Sequence, residues 1–179
     1  MAEFFDHITE KHAAFIKEQP VFFAATACDT GRINLSPKGM DTFRVLGPNL
    51  CGYLDLTGSG NETAIHIERD GRLTFMFNSF TRKALIYRLY GRGEVVEKGS
   101  EKWEDLKDQF PTDIPGARQL ILMHVESTQT SCGYAVPEME MVKERQTLVN
   151  WADKKGDKAL EDYRVTNNQK SIDGFVAAD

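Results

Sequence analysis

At 179 residues, 41% of them hydrophobic, the chain is long for one small domain and short for two, and it carries enough apolar side chains for a real core. A net charge of −5 and a pI near 5.4 argue against nucleic acid or an anionic membrane as the main partner. The three cysteines, Cys28, Cys51 and Cys132, are odd in number and lack metal-ligand spacing, which points to a reducing compartment. No apolar run is long enough to span a bilayer, and the opening Met-Ala-Glu-Phe-Phe-Asp-His lacks a basic start, so a cytoplasmic protein is expected.

In chain order, Glu3 to Glu18 spaces Phe4, Phe5, Ile8, Phe15 and Ile16 as an amphipathic helix that Pro20 ends. Val21 to Cys28 is β-prone, Asp29-Thr-Gly-Arg32 has turn chemistry, and Ile33 to Ser36 is the return strand of a hairpin. Pro37-Lys-Gly39 is read as interrupting the strand, which resumes over Thr42 to Leu46. Gly47-Pro-Asn49 then turns into a strand around Tyr53, Leu54 and Leu56. A glycine-rich loop, Thr57-Gly-Ser-Gly60, precedes a helix from Asn61 to Arg69, and Asp70-Gly71 turns into a strand over Arg72 to Asn78.

Leu85 to Glu97 is a long strand whose Gly91 and Gly93 imply a bulge, a bend or close approach of another backbone. Ser100 caps a helix running to about Phe110, and Gln119 to Ser127 is the last clear strand. Beyond Pro137, Met139 to Lys154 and Asp157 to Tyr163 read as helices, whereas Thr166 to Asp179 has too few apolar residues to fold alone. Short strands joined by turns, with few helices, suggest a Greek-key barrel rather than a parallel sheet.

The stretch with the most chemistry is the strand–loop–helix from Cys51 to Arg69. Glycines before a helix let the backbone approach a ligand, and the helix's first N–H groups carry the positive end of its dipole. Ser59, Asn61 and Thr63 add short hydrogen-bonding side chains, so a phosphate could sit here. A capping box over Ser59-Gly-Asn-Glu62 satisfies the same groups internally, and the loop alone does not separate the two readings. His7, His12, His66 and His124 form no metal pattern, and there is no nucleophile elbow or dinucleotide glycine fingerprint. Arg32, Ser36, Lys38, Arg88 and Arg92 are the other anion-friendly positions, with residues 88, 90 and 92 on one strand face.

Asn34-Leu-Ser-Pro-Lys-Gly39, Asp55-Leu-Thr-Gly-Ser-Gly-Asn-Glu-Thr63 and Arg88-Leu-Tyr-Gly-Arg-Gly93 together resemble the pyridoxamine 5′-phosphate oxidase family in its broad sense, the FMN-binding split barrels. Ser131-Cys-Gly-Tyr-Ala-Val-Pro137 and Ser171-Ile-Asp-Gly174 resemble an uncharacterised subgroup of it. The resemblance implies a mainly β (α+β) fold, a six-stranded antiparallel Greek-key split barrel with flanking helices. It also implies a homodimer with FMN at the subunit interface.

Carried over by position, Ile33, Asn34, Leu35 and Ser36 would run along the isoalloxazine edge, with Lys38 near the ring or the phosphate. Asp55, Leu56 and Thr57 would flank the ribityl chain. Ser59, Gly60, Asn61, Glu62 and Thr63 would cradle the phosphate, and Arg88 or another arginine would neutralise it. Tyr134, from the same or the partner subunit, would close the site.

Two departures bear on activity. The biosynthetic oxidases hold the phosphate with a basic Ser-Arg-Lys type segment where this chain has Ser59-Gly-Asn-Glu62, and they end in an Arg-Leu-x-Pro type segment that this chain lacks. Oxidation of vitamin B6 phosphates is therefore not expected. The expected organisation is a barrel with its N-terminal helix over residues 1–137 and a C-terminal helical extension over 138–179. The expected function is FMN-dependent oxidoreduction of an unknown small molecule; a non-catalytic flavin module, or a barrel using deazaflavin or haem, stays open.

Overall fold

Two long strands set the architecture. In the computed structural model, which describes residues 2–176, β7 (Ile86–Glu97) and β8 (Ala117–Ser131) pair antiparallel along nearly their whole length. Their register shifts between Tyr90 and Gly91, and this bulge bends the pair. A Cβ on Gly91 would collide with the carbonyl oxygen of His124, and one on Gly93 would lie 2.6 Å from the Ile67 side chain. Gly91 thus marks both the bulge and the close approach of another backbone, whereas Gly93 makes room for a helix side chain.

The other strands fan out from the bent pair. β6 (Arg72–Asn78) joins the first part of β7, followed by β2 (Phe22–Thr26) and β3 (Asn34–Lys38). β5 (Leu50–Leu56) joins the first part of β8 and carries β4 (Phe43–Gly47), and β1 (Glu3–Phe5) joins the end of β8. The result is one eight-stranded antiparallel sheet in the order β3-β2-β6-β7-β8-β5-β4, with β1 off that path. It is a split-barrel sheet with flanking helices, with eight strands where six were expected. β3 and β4 end it on either side, and the site lies between β3, the end of β5 and the start of α2.

An aromatic core joins the two wings. Phe43 of β4 lies 5.0 Å from Phe22, 5.2 Å from Phe75 and 4.9 Å from Phe77 between ring centres, and Tyr53 of β5 lies 5.3 Å from Phe22. Burial of each such ring contributes about 1.5–3 kcal/mol. Beneath the wings sit α1 (Glu10–Lys17) and α2 (Glu62–Arg69), which bury Phe15 and Ile16, and Ala64, Ile65 and Ile67 respectively. A second cluster, Leu54, Val96, Trp103, Phe110 and Leu120, lies under α3 (Glu101–Leu106) and the 3₁₀ turn Lys107–Gln109. The chain then adds α4 (Thr147–Lys155) and α5 (Asp157–Asn167). No helix among the described residues is long and apolar enough to cross a membrane.

Three sequence expectations are corrected. The N-terminal helix starts at Glu10, not Glu3: Thr9 caps it, its hydroxyl accepting from the His12 N–H at 3.3 Å. Glu3 to Phe5 instead form β1 opposite Thr130 to Thr128, a partner that local spacing does not reveal. Pro37 does not interrupt β3, because β3 is an edge strand and its outer side needs no N–H donor. Residues 139–146 are irregular rather than helical, and α4 begins at Thr147.

Candidate functional site

β5 places Asp55 opposite Gln119 of β8. Its carboxylate is 3% exposed and meets three donors. Lys38 Nζ approaches Oδ1 at 3.3 Å, while Arg118 donates to Oδ2 from Nη2 at 2.6 Å and Nε at 3.1 Å, and Gln119 Nε2 donates to it at 2.9 Å. Burial pushes the Asp55 carboxyl up, but Arg118 and Lys38 outweigh it and hold the pKa below the ordinary carboxylate value. Burial likewise works against the charge on Lys38, yet Tyr53 and Asp55 more than offset it, so the ammonium persists above its ordinary pKa. Lys38 also lies 5.4 Å from the centre of the Tyr53 ring.

The loop leaving β5 is held from behind. Arg118 Nη1 donates to the Gly60 carbonyl at 3.3 Å and to Asn168 Oδ1 at 3.0 Å, and Asn168 Nδ2 donates to the Gly58 carbonyl at 3.3 Å. Thr57 faces away: its hydroxyl donates to the Gly116 carbonyl at 3.0 Å and accepts from Arg164 Nε at 2.8 Å. Loop carbonyls are thus taken by the protein's own donors. The N-cap of α2 is Asn61, whose side chain makes no bond to the helix and accepts instead from Gln119 Nε2 at 2.9 Å. The capping-box reading is corrected accordingly: no side chain caps the first turn of α2.

A chain of polar groups links α2 to β3. Asn34 Nδ2 donates at 3.0 Å to both the Thr26 and the Thr63 hydroxyls, and Ser36 Oγ donates to Asn34 Oδ1 at 3.0 Å. Thr26 Oγ1 is 3.1 Å from Nδ1 of the buried His66. His66 Nε2 faces Glu62 Oε2 at 3.7 Å, and both atoms are buried without a hydrogen-bond partner. The other Glu62 oxygen accepts from the Ile172 N–H at 2.8 Å. Residues 168–176 lie across this loop, with Asp173 paired to Arg32 and Phe175 stacked 4.2 Å from the Arg69 guanidinium.

Two adjoining cavities open over these groups. One, about 310 Å³, is lined by Ser36, Lys38, Asp55, Thr63, Arg118 and the loop. The other, about 490 Å³, lies between Arg32 to Leu35, the same Ser59–Gly60 turn and Lys170 to Ile172. Of the positions read from sequence, Ile33, Asn34, Leu35, Ser36, Lys38, Asp55, Leu56, Ser59, Gly60, Asn61, Glu62 and Thr63 line one or both. Arg88 does not: it projects from β7 and donates to Ser131 Oγ at 2.9 Å. Tyr134 is 86% exposed on the segment after β8. Sequence reasoning missed Arg118, Gln119 and Asn168, which are the groups that fix Asp55 and the loop. Among the described residues no group of three His, Cys, Asp or Glu side chains could hold a metal.

Residues 8–132 match the family described as pyridoxamine 5′-phosphate oxidase. The chain belongs to that family. It is similar to the pyridoxamine 5′-phosphate oxidase family protein ustO of Aspergillus flavus, 31% identical over 98% of this chain and 77% of that one. Among solved structures it is similar to HupZ of Group A Streptococcus, at 26% identity and a TM-score of 0.55, covering 66% of this chain and 90% of that one. A Lactobacillus delbrueckii structure assigned to pyridoxamine 5′-phosphate oxidase has the same fold, with a TM-score of 0.54 at 21% identity, over 69% of this chain and 94% of that one. Family and split-barrel fold therefore agree with what the three segments around β3, the 55–63 loop and β7 imply.

Proposed function

We propose that this chain binds FMN, with the terminal phosphate at the N-terminus of α2, and that it works as a homodimeric flavin-dependent oxidoreductase on a small molecule. The observation that carries the reading is that α2's first turn, uncapped by any side chain, borders the cavity that also receives Lys38, Arg118 and the hydroxyls of Ser59 and Thr63. That donor set fits a terminal phosphate ester. Thr63 accepts from Asn34 Nδ2, which holds its hydroxyl at the cavity wall. Asp55 does not oppose an anion, because Lys38 and Arg118 together exceed its charge. Glu62 is the one acid at the mouth, and its carboxylate turns toward Ile172 and His66.

When bound, the flavin would supply two-electron redox chemistry. The chain's part is to bind and orient. β3, an edge strand, offers unpaired backbone groups along Asn34 to Lys38, and the Lys38 ammonium offers a positive charge beside any anionic form of the ring. A dimer is supported by the outer face of the sheet. There Pro37, Phe23, Met76 and Arg88 form one cross-strand row and Leu35, Ala25, Thr74 and Tyr90 the next. Leu35 is 64% exposed and Ile33 75%. Arg88 lies on this face, where it would meet a partner subunit rather than its own loop. Pyridoxamine 5′-phosphate is not proposed as substrate. A second phosphate would need its own cations, and of the two beside the tail Arg32 is already paired with Asp173, which leaves Lys170.

The test is cofactor identity and assembly together. Heat-released ligand from purified protein should chromatograph as FMN, and light scattering should give a dimer. Recovery of FAD after reconstitution, or a flavin-loaded monomer, would overturn the respective part.

A further inference from the structure

A larger cavity lies outside the two described above. It measures about 780 Å³, within the roughly 300–1,000 Å³ typical of small-molecule sites. It lies on the other side of the end of β3, between the end of α1, the β6–β7 connection, the irregular segment 139–146 and the start of α4. Its walls combine apolar side chains, among them Phe15, Met40, Phe80 and Leu148, with three acids and, besides Lys38, the cations Lys83, Lys143 and Arg145. Methionine suits such a wall because its flexible, polarisable side chain adapts to flat or irregular apolar shapes. Pro37 and Lys38 line both this cavity and the 310 Å³ one, so the two meet at the end of β3.

The turn that carries Met40 into the cavity is held in a costly conformation. Met40 and Asp41 both have positive φ, 62° and 50°, where non-glycine residues are uncommon. Thr42 Oγ1 donates to the Gly39 carbonyl at 2.8 Å, and Arg44 Nη1 donates to the Asp41 carbonyl at 2.8 Å, fixing it. Strain retained in this way marks positions whose geometry is used. Lys38 is only half-matched, since Asp55 shares its charge with Arg118. An anionic group arriving from the apolar side would complete it.

We propose that this cavity binds an apolar, flat or elongated small molecule carrying one anionic group, its apolar body against Met40, Phe80 and Leu148 and its anion toward Lys38. That this ligand is the substrate rests on the flavin reading, because Lys38 is where the two cavities meet; the binding itself does not.

The probe is 1-anilinonaphthalene-8-sulfonate, titrated by fluorescence into the full chain with and without FMN. The expected result is one saturable site, weakened roughly tenfold or more by Leu148→Glu or Phe80→Glu, as expected when an acid is set against an anion in a partly buried wall. Val165→Glu, on exposed α5 surface, should leave it unchanged. N-phenyl-1-naphthylamine, which lacks the sulfonate, should bind more weakly. Absence of a saturable site, as when a second copy of the chain fills the cavity, would overturn the proposal. So would equal affinity in the Glu variants, or equal binding of the neutral probe. If the probe binds as expected while FMN does not, the cavity assignment stands and the flavin reading fails.

Discussion

Two carboxylates stand seven positions apart at the same site and are treated in opposite ways. Asp55 is buried and saturated: Lys38, Arg118 and Gln119 all donate to it. Glu62 is half-buried and half-satisfied, with one oxygen on the Ile172 N–H and the other facing His66 across 3.7 Å without a hydrogen bond. A fully matched buried charge rigidifies its neighbours, whereas an incompletely matched one can be re-aimed at small cost. Asp55 thus reads as the anchor of the site and Glu62 as its adjustable gate.

The largest expected effect tests the anchor. Asp55→Ala leaves Arg118 and Lys38 without their buried counter-ion and should cost about 3–5 kcal/mol in a denaturation curve. A loss below about 1 kcal/mol, the range of surface pairs, would show that the anchor is no anchor. Next comes the phosphate cradle. Thr63→Val keeps shape and removes the hydroxyl, and should weaken FMN binding by about 1.5–3 kcal/mol, the worth of a hydrogen bond to a charged group. If melting shifts and affinity does not, the hydroxyl serves Asn34 alone.

A pH series separates the two acids further. Because the folded pKa of Asp55 lies below its ordinary 3.8, its stabilisation is present above that value and fades as pH falls through the folded pKa. Stability should therefore hold down to about pH 4 and drop below it, and Asp55→Asn should flatten that drop. The smallest effect belongs to the gate. Glu62→Gln should tighten FMN binding while lowering stability by only about 0.3–1 kcal/mol, the value of an acid at a helix N-terminus. Weaker flavin binding in this variant would mean that Glu62 contacts the ligand favourably.

Much of the sheet was legible from alternation and turn chemistry. Arg72 to Asn78 is the strand that its alternation predicts, and Cys51 to Arg69 folds as the strand, loop and helix that its residues imply. The failures share one cause, partners distant in sequence. Phe4 and Phe5 mimic helical spacing with Ile8, but Thr128 and Gln129 of β8 claim them. Arg118 looks like a polar residue at a strand start, and only the β5–β8 register, Asp55 opposite Gln119, shows what it holds. Met139 to Gln146 has helical composition and no helical partner face. Lys38 is legible as an anion-friendly residue after the first hairpin, whereas the apolar cavity it borders depends on the turn at Met40.

The strap formed by residues 168–176 has a consequence in time. Asn168 and Ile172 each reach back 110 positions, to Gly58 and Glu62, and Asp173 reaches back 141 to Arg32. Contacts of such long sequence separation carry a heavy loop-closure cost and form late in folding. The hairpin of β2 and β3 and the β6–β7 pair can assemble from neighbours in the chain, but the loop before α2 acquires its backing only when the strap docks. In a refolding experiment the far-ultraviolet signal of the sheet should therefore return before the capacity to quench flavin fluorescence, and the lag between them times the closing of the strap.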